Sequence, residues 1–199
     1  MEIIRVVTGP LLTNTYVLCE FDECIIVDPG GDLDKILKAV GRRSVAAVVA
    51  THLHFDHVYT AAELVEIFNT SFYASPKDWE HYYVINSMAP RWGFHIPQIP
   101  SPTPLGGKIW KLNVVPTPGH TPGSVSLIGQ GYVLTGDVLF YRSVGRVDLP
   151  LGDWNALVES VCRLYQLPGD YVVYPGHGPE STIGEEAEKN LFIHKGLCK

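Results

Sequence analysis

The run Thr51-His52-Leu53-His54-Phe55-Asp56-His57, directly behind the apolar stretch Val45 to Ala50, constrains this chain more than any other segment. An uninterrupted apolar run of that length reads as a strand buried on both faces, which belongs inside a layered fold. Side chains alternate along an extended chain, so His52 and His54 point to one side and both imidazoles reach one ion. Asp56 and His57 are neighbours that would diverge on a strand. At a strand-to-helix turn they converge on a second ion beside the first.

The segments around this run alternate between strand and helix patterns. Ile3 to Val7, Thr15 to Cys19 and Cys24 to Asp28 read as short strands separated by turn residues. Asp32 is placed to cap a helix carrying the stripe Leu33, Ile36, Leu37 and Val40, which Gly41 ends. Ala61, Leu64, Val65 and Phe68 form a second stripe, and Phe72 to Ala74 another strand. Pro76 to Met88 reads as one helix, and the proline-rich stretch from Pro90 to Pro104 as an irregular, stiff lid. Further strands are expected at Ile109 to Val115, Val125 to Ile128, Tyr132 to Leu134 and Tyr171 to Tyr174, with helices at Trp154 to Tyr165 and Glu185 to His194. Together these predict one domain over residues 1–199, an α/β sandwich of layers.

Three of the later strands run into a small residue followed by one metal-type side chain: Gly119-His120, Gly136-Asp137 and Gly176-His177. Glycine lets the backbone approach a site closely. Imidazole and carboxylate without thiolate suit zinc, iron or manganese, and ligand type alone does not choose among them. His81, His95 and His194 lie outside these motifs and are left unassigned. Trp79, Tyr82, Tyr83, Trp92 and Phe94 in the lid region read first as packing residues, with a wall over a substrate as their second role.

Acidic residues outnumber Lys and Arg by 21 to 15, and the net charge of -6 offers no electrostatic footprint for nucleic acid or anionic lipid. Neither is an expected partner. Met1 to Val7 shows no export pattern, and no apolar run approaches the roughly 18 residues of a membrane span. The four cysteines, Cys19, Cys24, Cys162 and Cys198, show no Cys-x-x-Cys spacing. They are therefore expected as reduced thiols, Cys19 and Cys24 as small buried hydrophobes, in a cytoplasmic protein.

The motifs Thr51 to His57, Gly119-His120-Thr121-Pro122-Gly123-Ser124, Thr135-Gly136-Asp137 and Pro175-Gly176-His177-Gly178 together resemble the metallo-β-lactamase superfamily, in that family's order and nearly end to end. The resemblance implies an αββα four-layer sandwich. It implies two divalent metal ions, zinc first with iron or manganese as alternatives. His52, His54 and His120 would hold one, Asp56, His57 and His177 the other, and Asp137 would bridge them.

A solvent molecule shared by two cations has its pKa lowered from about 16 to about 7, so hydrolysis is the natural chemistry. Asp56 is also the candidate to orient that nucleophile. Within the superfamily, Val27-Asp28-Pro29-Gly30-Gly31, Gly136 to Phe140 and Gly145-Arg146-Val147-Asp148 look like the short, single-domain glyoxalase II branch. That branch cleaves S-acyl-glutathione thioesters, which makes a small-molecule thioester the expected partner and leaves the oligomeric state open. Only 22 residues follow His177, where full-length glyoxalase II carries a helical domain for glutathione. Arg146 stands where that family has a lysine, as a substrate-binding residue or as the partner of Asp148. The alternative implied by resemblance is a persulfide dioxygenase holding one iron on His52, His120 and Asp137. This chain has Ser143-Val144 where that branch carries a cysteine. A metal-bound module without catalysis is the third possibility, and it would need a closed coordination shell.

Overall fold

A computed structural model describes residues 1–198. The chain opens with the strands β1 (Glu2–Thr8), β2 (Thr13–Glu20) and β3 (Glu23–Val27). Helix α1 (Leu33–Val40), strand β4 (Ser44–Val49), helix α2 (Ala61–Phe68) and strand β5 (Ser71–Ala74) follow. Two short helices, α3 (Pro76–Glu80) and α4 (Tyr82–Ile85), precede the short strand β6 (Thr103–Pro104), which completes a first sheet of order β1-β2-β3-β4-β5-β6. The second half supplies β7 (Lys108–Ile109), β8 (Leu112–Pro116), β9 (Val125–Gly129), β10 (Tyr132–Gly136) and a small hairpin of β11 (Leu139–Phe140) and β12 (Ser143–Val144). Helix α5 (Trp154–Leu164), strands β13 (Val172–Pro175) and β14 (Ser181–Thr182) and helix α6 (Ile183–Lys189) end it. The second sheet runs β14-β13-β10-β9-β8-β7.

Strand alternation explains why two sheets and two helical layers form. On β2 and β3, Val17, Cys19, Cys24 and Ile26 face α1 and α2, where Ile36, Val40, Ala61 and Leu64 complete one core. Their neighbours Tyr16, Leu18, Ile25 and Val27 face the other way and meet Leu112, Leu127 and Leu134 of the second sheet. On β10 and β13, Val133 and Val173 turn outward to Leu157, Val161 and Ile183 of the second helical layer. The apolar run at β4 feeds two cores at once, Val45 and Val48 on one side and Ala47 and Val49 on the other. Only Ala46 among its apolar residues is exposed, so the run is buried on both faces as its composition predicts. The αββα sandwich is the observed architecture.

Several expectations change. The helix expected from Pro76 to Met88 breaks at His81, and its two short pieces are followed by a 3-10 turn at Ala89–Trp92. Polar contacts of Asp78 and Asn86 with a neighbouring loop, described below, override helix propensity here. The strand expected from Ile109 to Val115 is a hairpin, turning at Trp110 with φ 49°. The last helix starts at Ile183 and ends by Asn190, whose Oδ1 accepts from the backbone of Phe192 and Ile193, both at 3.1 Å, and turns the chain away. Asp32 does not cap α1; its carboxylate accepts from Gly9 N at 3.0 Å instead.

The cysteines also depart from expectation: Cys19 pairs with Cys24, and Cys162 with Cys198. The chain's spacing hid the first pair because β2 and β3 place Cys19 directly opposite Cys24 across a tight turn. The second ties α5 to the end of the chain, a contact that only tertiary structure creates. Both residues of the first pair are buried, as expected, but as a disulfide. The thiol-based reason for a reducing compartment falls with these pairings. Among the described residues, no helix is long and apolar enough to cross a membrane.

Candidate metal centre

All seven sequence-selected side chains come together at one end of the sandwich, beyond the carboxyl ends of β4, β8, β10 and β13. Strand ends of this kind are where open α/β architectures present functional groups. The chain leaves β4 at Ala50, carries His52 and His54, and turns through a 3-10 segment at Phe55–His57. Nitrogens of His52, His54 and His120 lie within 4.8 Å of one another, as do the donor atoms of Asp56, His57 and His177 and those of His52, His57 and Asp137. Asp137 stands between the sets: its Oδ1 is 3.4 Å from His57 Nε2, while its Oδ2 is 3.6 Å from His120 Nε2 and 3.5 Å from His177 Nε2.

The ring nitrogens pointing away from the centre have fixed partners, and these determine which nitrogens point in. His120 Nδ1 lies 2.7 Å from the Arg146 carbonyl, and His177 Nδ1 3.1 Å from the Leu11 carbonyl, so each donates outward and keeps Nε2 for the centre. His57 turns Nδ1 towards Asp28 Oδ2 at 3.1 Å. Asp28 also accepts from Thr51 N and Thr51 Oγ1, both at 2.7 Å, which locks the strand end from which the histidines project. Thr13 Oγ1 donates to Asp56 Oδ2 at 3.0 Å. The His177 loop is held by β2, where Asn14 Nδ2 donates to the carbonyls of Pro175 and Gly178, each at 2.9 Å. Thr13 and Asp28, which touch the centre directly, and Asp78 and Asn86, which bond the backbone of Leu53 and Phe55, are neighbours that sequence reading did not assign. Asp28 alone left a trace, as the acid that ends β3 before Pro-Gly-Gly.

Whether these residues fit a metal pair is tested by their own hydrogen bonding. Among the described residues, the buried side-chain polar atoms without a hydrogen-bond partner are His52 Nε2, His54 Nε2, His57 Nδ1 and Asp137 Oδ1, all four in this cluster. His57 Nδ1 faces the Asp28 carboxylate at 3.1 Å and points away from the centre. An unmet buried polar atom costs about 1–3 kcal/mol, so the other three in one place signal a missing cation rather than a packing fault. The donors fit a pair of divalent cations.

Charge is divided unevenly within the centre. Burial, and then the charge of His57, push His52 well below the ordinary imidazole range, and burial with His120 beside it pushes His54 down to about 3. Their lone pairs are free for a cation at neutral pH. Burial also opposes the charge on His57, but Asp137, Asp56 and Asp28 outweigh it and hold that imidazole well above its usual value. His177 is raised in the same way, against burial, by Asp137 and Asp56. Burial alone would raise Asp56, yet His57 and His177 bring it down to about 2, and the same two histidines hold Asp137 well below the carboxylate range.

The centre forms the floor of a cavity of about 340 Å³. Its walls are mostly apolar, with Leu11, Phe55, Ile85, Met88, Trp92 and Phe140 above the ligands. Of the five lid aromatics selected from sequence, Trp92 alone lines this cavity. Tyr82 is buried with its hydroxyl on the Pro97 carbonyl, Phe94 stacks on Phe55, and Trp79 stacks on Tyr82. Arg146 is the partner of Asp148, bound through Nε and Nη2, each at 2.8 Å, and its side chain also lines the cavity with its guanidinium 5.9 Å from the Trp92 ring.

Known proteins carry the same architecture. The solved structure of TTHA1623 in a di-iron-bound form superposes with a TM-score of 0.89 at 38% identity, covering 96% of this chain and 100% of that one. The B3 metallo-β-lactamase BLEG-1 superposes at 0.87 with 33% identity, over 96% of this chain and 99% of that one. The hydroxyacylglutathione hydrolase GloC of Haemophilus influenzae is 32% identical, over 85% of this chain and 86% of its own length. The family model described as the metallo-beta-lactamase superfamily matches residues 8–177, which include every residue of the centre. The chain belongs to the metallo-β-lactamase superfamily, a family of metal-dependent hydrolases.

Proposed function

We propose that this protein is a glyoxalase II-like thioesterase that cleaves small S-acyl thioesters of the glutathione type. The observation that carries this is the pair of donor sets with Asp137 standing between them on the floor of an apolar, open cavity. Bound divalent cations supply Lewis acidity and a nucleophilic water at neutral pH. Zinc is the first choice for the pair, with iron or manganese as alternatives.

The chain's own groups define the rest. With its pKa near 2, Asp56 stays a carboxylate at neutral pH, so it accepts a hydrogen bond from an attacking water and is no proton donor. Thr13 holds its Oδ2 in place, which limits the directions from which that water is oriented. Phe55, Trp92 and Phe140 exclude bulk water and receive the apolar part of an acyl group. Asp148 takes one N–H each from Nε and Nη2 of Arg146, so both N–H groups of Nη1 and the second of Nη2 are the donors left for a polar substituent of the substrate.

The test is one preparation assayed three ways, after its metal content is measured. Cleavage of S-lactoylglutathione with two metals per chain supports the proposal. Oxygen uptake with glutathione persulfide on one iron would replace it with the dioxygenase alternative, and β-lactam opening without thioester cleavage would move the substrate class to that of BLEG-1.

A further inference from the structure

The loop carrying His52, His54 and Asp56 has left the sheet, so the backbone groups between its ligands need partners from elsewhere. They find them on the segment of α3 and α4. Leu53 N donates to Asp78 Oδ2 at 3.1 Å, the Leu53 carbonyl accepts from Asn86 Nδ2 at 2.8 Å, and Phe55 N donates to Asn86 Oδ1 at 2.7 Å. These bonds fall at the residue between His52 and His54 and at the residue between His54 and Asp56. Asp78 reaches further, accepting from Thr121 Oγ1 at 2.8 Å and from Gly123 N at 2.6 Å on the loop that bears His120. The Thr121 proton is committed to Asp78, so in the 2.7 Å contact between the two hydroxyls Ser124 donates to Thr121, and the network runs in one direction.

Asp78 and Asn86 are both essentially inaccessible to solvent, at 0% and 1% exposure. Asn86 spends its second N–H on the Tyr82 carbonyl at 2.9 Å, so its whole amide is used. The segment that makes these bonds also supplies Ile85, Met88 and Trp92 to the cavity wall.

We infer that Asp78 and Asn86 are positioning residues for the metal centre: they clamp the His52–Asp56 loop against the His120 loop and set the geometry of the three-histidine set. The inference rests on the metal-centre assignment above. Its consequence is selective, because the second set is held by other groups: Asp28 on His57, Thr13 on Asp56 and Leu11 on His177.

Cobalt(II) titration of the metal-free protein, followed by visible absorption, tests it. Asn86→Ala and Thr121→Val are compared with wild type, and Thr121→Ser, which keeps the hydroxyl, serves as the rescue. Thermal unfolding of each metal-free variant is measured alongside. Wild type is expected to take up two equivalents. Asn86→Ala and Thr121→Val should weaken one equivalent by about 10–100-fold and change its spectrum, the size expected when a group orienting a ligand is lost. The other equivalent should be unaffected, and Thr121→Ser should restore both. Wild-type spectra and affinities in the two disruptive variants would overturn the inference. So would equal weakening of both equivalents in step with lost stability of the metal-free fold, which marks a merely structural role. A wild type that binds no cobalt would instead remove the metal-centre assignment itself.

Discussion

Asp28 lies behind the ligands, touching His57 and Thr51 but facing away from the cavity. Asp28→Ala is expected to lower zinc affinity by about 10–100-fold in a chelator-competition titration, with no change in the cavity wall. Gly176 faces a steric limit: an added Cβ would overlap Asp137 Oδ1 and crowd His57 Cε1. Gly176→Ala should therefore leave a folded protein by circular dichroism whose metal content falls from two ions towards one. The raised His57 and His177 keep their protons to higher pH than free imidazole, and a protonated ring cannot ligate. Metal uptake should thus release protons and strengthen as pH rises through those two values; calorimetry in buffers of different ionisation enthalpy would register the release. The seven clustered side chains were legible in sequence because each sits in a short motif at or near a strand end. Thr13, Asp78 and Asn86 were not. Their partners lie 25 or more residues away, apart from the Asn86 bond to Tyr82, and a lone Thr, Asp or Asn beside a helix pattern looks like any surface residue.

At the scale of elements, periodicity found what a single face decides and missed what tertiary contacts decide. The stripes of α1 and α2, the span of α5 and the strand segments β2, β3 and β10 were readable, since each is a local pattern that reports burial. The break at His81, the hairpin at Trp110 and the early end of α6 each involve a polar side chain bonding across the fold or around a turn. Trp110, for example, donates from its indole to Glu23 at 2.8 Å. The disulfides belong here too. Cys162 and Cys198 close a loop spanning 36 residues, and constraint of the unfolded chain is worth about 3–4 kcal/mol for such a loop. Cys162→Ser should lower the unfolding free energy by that amount, read as a lower denaturant midpoint with a slope that rises as the unfolded chain expands, whereas a variant as stable as wild type would show that the bond adds nothing to the fold.

Over the whole molecule, three cores stacked in a sandwich hold strand ends from both sheets around one cluster, so side chains more than a hundred residues apart in sequence meet within a few ångströms. A layered α/β sandwich could be anticipated from the alternation of strand and helix patterns, and its four layers from the family resemblance, whereas the shape of the cavity could not, since it depends on how residues 76 to 92 settle over the cluster. The most direct test of the centre is an anomalous-difference map from crystals of the metal-loaded protein. Two peaks are expected, one among His52, His54 and His120 and one among Asp56, His57 and His177, with a carboxylate oxygen of Asp137 directed to each. A lone peak, or ions bound elsewhere on the chain, would contradict it.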